Sequence, residues 1–202
     1  MISRRLALLT LASAVLAGCD KPGGGGTGAS FRAVDITGAE YARQLSLQDP
    51  DGKTRTLADF KGKVTVVFFG YTQCPDVCPT TMAELAQVKK ALGRDGERIQ
   101  GVFVTIDPDR DTPELLKAYM GSFDPSFVAL RGNAEQTAAV AKEFKVFYAK
   151  VPGKTEGNYT IDHTAGSYVF DMQGRLRLFV RYGSGTEGLT ADLKTLIGAA
   201  AG

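Results

Sequence analysis

The chain has 202 residues, of which 44% are hydrophobic, and this is enough for one domain with a well-buried core. Lys and Arg together number 24, against 22 Asp and Glu, so the net charge is only +2. A nucleic-acid-binding surface would need a basic excess that this chain lacks, and we therefore expect no nucleic-acid partner.

The first 18 residues predict an export signal. Arg4 and Arg5 precede an apolar run over residues 6–16, which is too short to span a membrane, and small residues follow the run. Because Cys19 comes next, this region is similar to a bacterial lipoprotein signal, in which the cysteine is lipidated after cleavage. An ordinary signal followed by an unrelated cysteine is the alternative. Cleavage would leave 22 basic and 22 acidic residues.

Residues 19–34 predict a flexible tether, because they include four consecutive glycines and little apolar surface. Asp20, next to the predicted lipid site, is similar to the signal that retains some lipoproteins in the bacterial inner membrane. We therefore expect a lipid anchor on the periplasmic face of that membrane. The folded domain is predicted to occupy residues 35–202.

The first elements of that domain are a hairpin, a strand and a helix. Residues 45–48 and 53–57 flank a turn with the sequence Asp-Pro-Asp-Gly, which is typical of a β-hairpin. Residues 64–69 are almost entirely apolar and predict a buried parallel strand. The apolar residues of 79–92 recur at helical spacing and predict an amphipathic helix.

Further strands and helices alternate to the end of the chain. They are predicted at residues 101–106 (strand), 113–120 (helix), 127–130 (strand), 134–144 (helix), 147–150 and 159–161 (strands), 167–171 and 175–180 (hairpin) and 189–197 (helix). Thr112 and Asn133 are suited to cap the two middle helices, whereas Asp107 and Arg110 have no such explanation. This order predicts an α/β, thioredoxin-like fold with an N-terminal β-hairpin extension.

Cys74 and Cys78 lie in the loop between the first core strand and its helix, where open α/β sheets place reactive groups. If Pro79 takes the first helical position, Cys78 lies near the N-cap, and the helix dipole should lower its pKa. The C-x-x-x-C spacing suits either a disulfide or two thiolates on one metal ion. A purely structural disulfide is the alternative, although closing so short a loop stabilises little.

His163 is the only histidine of the chain and immediately precedes a predicted core strand. In a thioredoxin-like sheet this position lies close to the helix-start cysteines. Two thiolates and one imidazole form a ligand set that suits copper in both oxidation states, and also zinc. Since a structural zinc site usually has four protein ligands, three ligands favour a metal that is handed on. Asp107 and Asp162 are candidates to orient the imidazole.

Three separated motifs resemble the Sco/SenC family, over roughly residues 36–197. They are Gly70-Tyr71-Thr72-Gln73-Cys74-Pro75-Asp76-Val77-Cys78-Pro79, Asp107-Pro108-Asp109-Arg110-Asp111-Thr112-Pro113, and Asp162-His163 ahead of Tyr168-Val169-Phe170-Asp171. The resemblance implies a membrane-tethered protein for cytochrome c oxidase assembly, with one copper on Cys74, Cys78 and His163. It also implies delivery to the CuA site of oxidase subunit II. Family members often carry a transmembrane helix, where this chain predicts a lipid anchor.

Two functions stay open at this point. The first is a metallochaperone, which is not an enzyme and would exchange metal with other copper carriers. The second is a thiol–disulfide oxidoreductase that reduces the CuA-site cysteines, with Cys74 and Cys78 as the redox dithiol and thioredoxin-like reductants as partners. A peroxidase is disfavoured, because its Thr-x-x-Cys pattern needs threonine where Tyr71 and Pro75 stand.

Overall fold

The computed structural model describes residues 30–155 and 157–199 of the chain. The predicted signal over residues 1–18, Cys19 and most of the predicted tether lie outside the described residues. Within the described part, no helix combines the length and the apolar character that a membrane crossing requires.

Strands and helices alternate along the described chain. The strands are β1 (Val34–Asp35), β2 (Ser46–Gln48), β3 (Thr54–Thr56), β4 (Val64–Gly70), β5 (Ile99–Thr105), β6 (Val128–Leu130), β7 (Tyr148–Pro152), β8 (Tyr159–His163), β9 (Gly166–Phe170) and β10 (Leu176–Arg181). The α-helices are α1 (Val77–Ala91), α2 (Pro113–Gly121), α3 (Ala134–Glu143) and α4 (Thr186–Gly198).

A six-stranded mixed sheet has the order β1-β10-β9-β4-β5-β6. Strands β4, β5 and β6 are parallel, whereas β9 runs antiparallel to β4 and β10 antiparallel to β9. Every residue of β4 and β5 is buried, as expected for strands that are covered on both faces. This arrangement confirms the predicted thioredoxin-like α/β fold.

The parallel pairing of β4 and β5 determines where the chemistry lies. Val64 pairs with Ile99 and Gly70 with Thr105, so the two strands end at the same edge of the sheet. The cysteine loop follows β4 and the Asp107–Arg110 segment follows β5. Both loops therefore lie at one end of the domain, which we call the site end.

The predicted N-terminal hairpin is confirmed as the antiparallel pair β2–β3. Asp49, in its turn, is 7% exposed and accepts hydrogen bonds from Lys53 N at 2.9 Å and Arg55 Nε at 2.7 Å. The helix starts are confirmed as well: Thr112 accepts from Leu115 N, and Asn133 caps α3. These local signals identify their elements because they depend on few tertiary contacts.

Helix α1 begins two residues earlier than predicted. Asp76 is its N-cap residue, so Cys78 lies inside the first turn and Pro79 is the third helical residue. The first four N–H groups of a helix have no partner within the helix, and proline is therefore tolerated throughout the first turn. The proline therefore placed the first turn of the helix correctly, but not its first residue or its cap.

The N-terminal segment is held at the edge of the sheet by strand pairing, hydrogen bonds and a salt bridge. Strand β1 pairs with β10, and the buried carboxylate of Asp192 in α4 accepts hydrogen bonds from Arg32 N at 2.9 Å and Ala33 N at 2.8 Å. A salt bridge of 3.9 Å joins the Arg32 side chain to Glu187, in the first turn of α4. Strand β10 runs in the same direction as β4, because both are antiparallel to β9, and its C-terminal end therefore lies at the site end. Helix α4 follows that end of β10, so the N-terminal segment joins the domain near the site end.

Candidate metal centre

Cys74, Cys78 and His163 come together at the site end. Their ligand atoms, two sulfurs and one ring nitrogen, all lie within 4.8 Å of one another, and Cys78 Sγ is 3.5 Å from His163 Nε2. Thiolate sulfur binds a metal at about 2.3 Å and imidazole nitrogen at about 2.0–2.1 Å, so two donors on one ion lie at most about 4.6 Å apart. The bound of 4.8 Å on the cluster is close to this limit, so the three groups need only a small shift to hold a single ion.

The two cysteines occupy different environments. Cys74 lies in the loop after β4, is half-buried, and donates its backbone N–H to Tyr71 O at 3.2 Å. Cys78 is fully buried in the first turn of α1. Its sulfur fits only because β4 ends in Gly70, where an added Cβ would lie 2.7 Å from Cys78 Sγ. Both are free thiols in this structure.

His163 is the last residue of β8, rather than part of a loop before β9 as its sequence position suggested. Its ring packs edge-on against Phe68, at 5.8 Å between centroids, and Tyr71, at 6.1 Å. Its Nδ1 lies 3.1 Å from Thr164 O. A proton on Nδ1 would donate to that carbonyl and leave the Nε2 lone pair directed at the cysteines.

The acidity of the two thiols is the reverse of the prediction from helix position. A hydrogen bond from the Cys78 thiol, helped by the N–H groups of Asp76 and Cys78, lowers the pKa of Cys74 to about 4. The same interaction and the burial of its sulfur raise the pKa of Cys78. Burial and hydrogen bonding therefore outweigh the helix dipole at Cys78.

The two predicted orienting carboxylates face away from the imidazole. Asp107 is fully buried, forms an ion pair with Arg110 Nε and accepts a hydrogen bond of 2.7 Å from Tyr159 Oη. Asp162 has an exposed side chain on β8. In the described residues, the His163 ring contacts Cys78 Sγ, Thr164 O and the rings of Phe68 and Tyr71, so the orientation of the imidazole depends on these groups.

A second buried carboxylate supports the cysteine loop. Asp111 is fully buried and accepts hydrogen bonds from Thr72 Oγ1 at 2.6 Å, Thr72 N at 3.2 Å and Thr105 Oγ1 at 2.5 Å. Burial raises the pKa of this carboxyl, and these hydrogen bonds oppose the shift. Asp111 thereby ties the loop after β4 to the loop after β5.

Sequence reasoning missed the supporting residues around the three ligands. Phe68 and Gly70 alternate along β4, and this period of two places them on the same face of the strand. The His163 ring lies against Phe68, and the Cys78 sulfur lies beside Gly70. The shared face of these two strand residues was therefore the signal that the sequence offered for this packing. Tyr71 and Asp111 gave no comparable signal, because their partners are 90 and 39 residues away along the chain.

Fold and site together define a class: a thioredoxin-like α/β protein whose helix-start dithiol is joined by a histidine from a neighbouring hairpin. Comparison with known proteins specifies the class further. Residues 34–198 match the model of the SCO1/SenC family. The chain belongs to this family.

Individual relatives agree with that assignment. A SCO2-like protein of Rickettsia felis is 40% identical over 132 residues, which is 65% of this chain and 64% of the relative. The structure of Bradyrhizobium japonicum ScoI with copper bound is 42% identical, with a TM-score of 0.69 over 76% of this chain and 97% of that one. The apo Sco1 protein of Thermus thermophilus is 37% identical, with a TM-score of 0.74 over 85% and 99%. The chain thus spans slightly under two thirds of the Rickettsia relative.

Proposed function

We propose that this protein is a copper chaperone for the assembly of cytochrome c oxidase, which binds one copper ion and passes it to the CuA site of subunit II. The observation that carries the proposal is the grouping of Cys74, Cys78 and His163 ligand atoms within 4.8 Å. The related ScoI, whose structure has copper bound, and the family membership support the same cargo.

The chemistry of the site suits a metal that is accepted and released. Thiolates are soft ligands that favour Cu(I), and an imidazole suits copper in either oxidation state. Three protein ligands leave a coordination position that a donor or acceptor protein can occupy during exchange. Half-exposed Cys74 is the ligand through which an incoming partner reaches the metal, whereas Cys78 is shielded.

A Cu(I) titration of the reduced protein against a competing chelator tests the proposal. We expect one tightly bound copper, and its loss in the Cys74→Ser/Cys78→Ser double variant. The loaded protein should then transfer its metal to a soluble CuA fragment of subunit II. Binding no tighter than that of the double variant would refute copper carriage.

His163 should matter more for Cu(II) than for Cu(I), because two thiolates alone satisfy Cu(I). We expect His163→Ala to weaken Cu(II) binding by more than the roughly 10–100-fold that loss of an outer-shell partner of a ligand costs, and Cu(I) binding much less. Competition titrations with each ion measure the difference. Equal losses for both ions would contradict this division of roles.

A second function, reduction of the cysteines of the CuA site, is favoured by the asymmetry of the dithiol. The Cys74 thiolate attacks one sulfur of a target disulfide, and the other target sulfur leaves as a thiolate. Cys78 then loses its proton and attacks Cys74 Sγ, which releases the target as a dithiol and leaves a Cys74–Cys78 disulfide. Two electrons pass to the target, and a thioredoxin-like reductant must restore the dithiol.

The two functions differ in their need for His163. Reduction of a disulfide peptide that carries the CuA cysteines should survive in His163→Ala, whereas Cu(II) binding should not. If His163→Ala abolishes both disulfide reduction and Cu(II) binding, this variant does not distinguish the two functions.

Attachment to the periplasmic face of the inner membrane through lipidated Cys19 is part of the proposal. It depends on residues 16–20, which precede the described part of the chain. We expect the protein in the membrane fraction, and Cys19→Ser in the soluble periplasmic fraction. A Cys19→Ser variant that stays in the membrane would refute the lipid anchor.

A further inference from the structure

We propose that Tyr71 is a positioning residue that sets the His163 imidazole against the cysteine pair. The inference rests on the proposed copper function, since it concerns the same three ligands. It assigns a role to a side chain that is neither a metal ligand nor a redox group.

Tyr71 contacts both halves of the site. Its carbonyl oxygen accepts a hydrogen bond from Cys74 N at 3.2 Å, and its hydroxyl accepts one from Ile161 N at 3.1 Å. Its ring packs edge-on against His163, with 6.1 Å between centroids. The side chain is 2% exposed, so water does not compete for these contacts. One buried residue thus joins the cysteine loop to the strand that carries the histidine.

The Tyr71 hydroxyl matters because β7 and β8 form a two-stranded sheet of their own, apart from the central sheet. An isolated hairpin is only marginally stable, so its position depends on contacts with the rest of the domain. Ile161 is 4% exposed and lies two residues before His163. Without the hydroxyl, its buried N–H has no acceptor, and a buried unpaired donor is unfavourable.

A different contact holds the other end of β8. The Arg110 guanidinium stacks on the Tyr159 ring at 3.6 Å, and its Nη1 donates to Tyr159 O at 2.9 Å. Arg110 therefore fixes the first residue of β8, and Tyr71 fixes the part next to the metal ligand. Loss of the Tyr71 hydroxyl should loosen the His163 end of the strand while its start stays anchored.

The variant Tyr71→Phe removes the hydroxyl and keeps the ring. In the metal-free reduced protein, we expect hydrogen exchange at the Ile161 amide to accelerate about tenfold, in line with one lost hydrogen bond. Cu(II) affinity should fall about tenfold, whereas Cu(I) affinity should stay within about threefold, because the thiolates alone hold Cu(I). Tyr168→Phe is the matched control, since it deletes the same atom from a ring that is 3% exposed in β9.

A double-mutant cycle separates positioning from general destabilisation. If Tyr71 acts through the imidazole, the Cu(II) loss caused by Tyr71→Phe should vanish in the His163→Ala background. A loss that persists there, equal losses for the two copper ions, or an unchanged Ile161 amide would overturn the inference. If His163→Ala itself leaves Cu(II) binding intact, the proposed ligand set fails, whereas the Ile161 exchange rate still decides whether the Tyr71 contact exists.

Discussion

The two cysteines of the site are four residues apart and chemically unlike. Cys74 is half-buried and carries the lowered pKa, whereas Cys78 is fully buried behind it with a raised pKa. A single hydrogen bond between the two groups shifts their acidities in opposite directions. In the reduced protein, the lowered pKa of Cys74 favours its thiolate, whereas the raised pKa of Cys78 favours its protonated thiol.

Alkylation with iodoacetamide tests this difference. Because the pKa of Cys74 is about 4, its thiolate persists through neutral pH. The rate at which Cys74 is alkylated should therefore fall only as the pH drops towards 4. An ordinary cysteine already loses reactivity below about pH 8.5. Peptide mapping should show Cys74 modified first, and Cys78 protected until urea unfolds the chain. Preferential labelling of Cys78 in the folded protein would contradict the assignment.

Gly70 illustrates how tightly the buried sulfur is packed. In Gly70→Ala the new Cβ would lie 2.7 Å from Cys78 Sγ and 2.9 Å from Phe68 Cε1. We expect a loss of about 1–3 kcal/mol in the free energy of unfolding, measured in urea, and weaker Cu(I) binding. Gly121→Ala is the control, since a Cβ there meets nothing within 4 Å. Equal stability of the two variants would show that the site relaxes easily.

Among the elements, the β7–β8 hairpin is the one that brings His163, 85 residues beyond Cys78 in the sequence, to the cysteines. The loop after β5 reaches it through Arg110, which joins the buried Asp107 carboxylate to Tyr159. The Tyr159 hydroxyl in turn donates to Asp107 at 2.7 Å. The Asp107–Arg110 segment thus serves as an anchor for the hairpin, and it affects His163 only through the hairpin.

Arg110→Ala should be strongly destabilising. It would leave a fully buried Asp107 without its cation, and such a change typically costs about 3–5 kcal/mol. Urea unfolding measures the loss. Lys150→Ala is a matched control, because Lys150 and Asp109 join the same loop and hairpin, but their side chains are 50% and 67% exposed. That pair should contribute less than about 1 kcal/mol. Similar losses in both variants would contradict the anchor.

The sequence predicted elements well where the signal was local. Continuous apolar runs identified β4 and β5, and Thr112 and Asn133 marked two helix starts. Cys74, Cys78 and His163, which the structure brings together, were singled out because their residue types are rare in this chain. The acidity of Cys78 was predicted wrongly, since its burial follows from packing against Gly70 and the core. Strand β1, with two exposed residues, offered no pattern at all.

For the whole molecule, copper binding should stabilise the fold, because it would join the cysteine pair to His163, which is 85 residues beyond Cys78 in the sequence. A ligand at one hundred times its dissociation constant stabilises the native state by about 2.7 kcal/mol. For a domain of this size we expect the unfolding temperature to rise by about 5–11 °C with Cu(I). The Cys74→Ser/Cys78→Ser variant should show no shift. A shift of similar size in that variant would place the bound metal elsewhere.

The attachment of the N-terminal segment to α4 bears on how the molecule meets its partners. Asp192 and Glu187 hold Arg32 and Ala33 beside the edge strand, near the end of the sheet that carries the cysteines. A domain anchored through this segment would have its cysteine-bearing end near the point where the predicted flexible tether joins it, so this end would stay within a tether's length of the support. Under the proposed function, encounters with a membrane-embedded acceptor would occur at high effective concentration within a thin layer, so a weak contact would suffice for transfer.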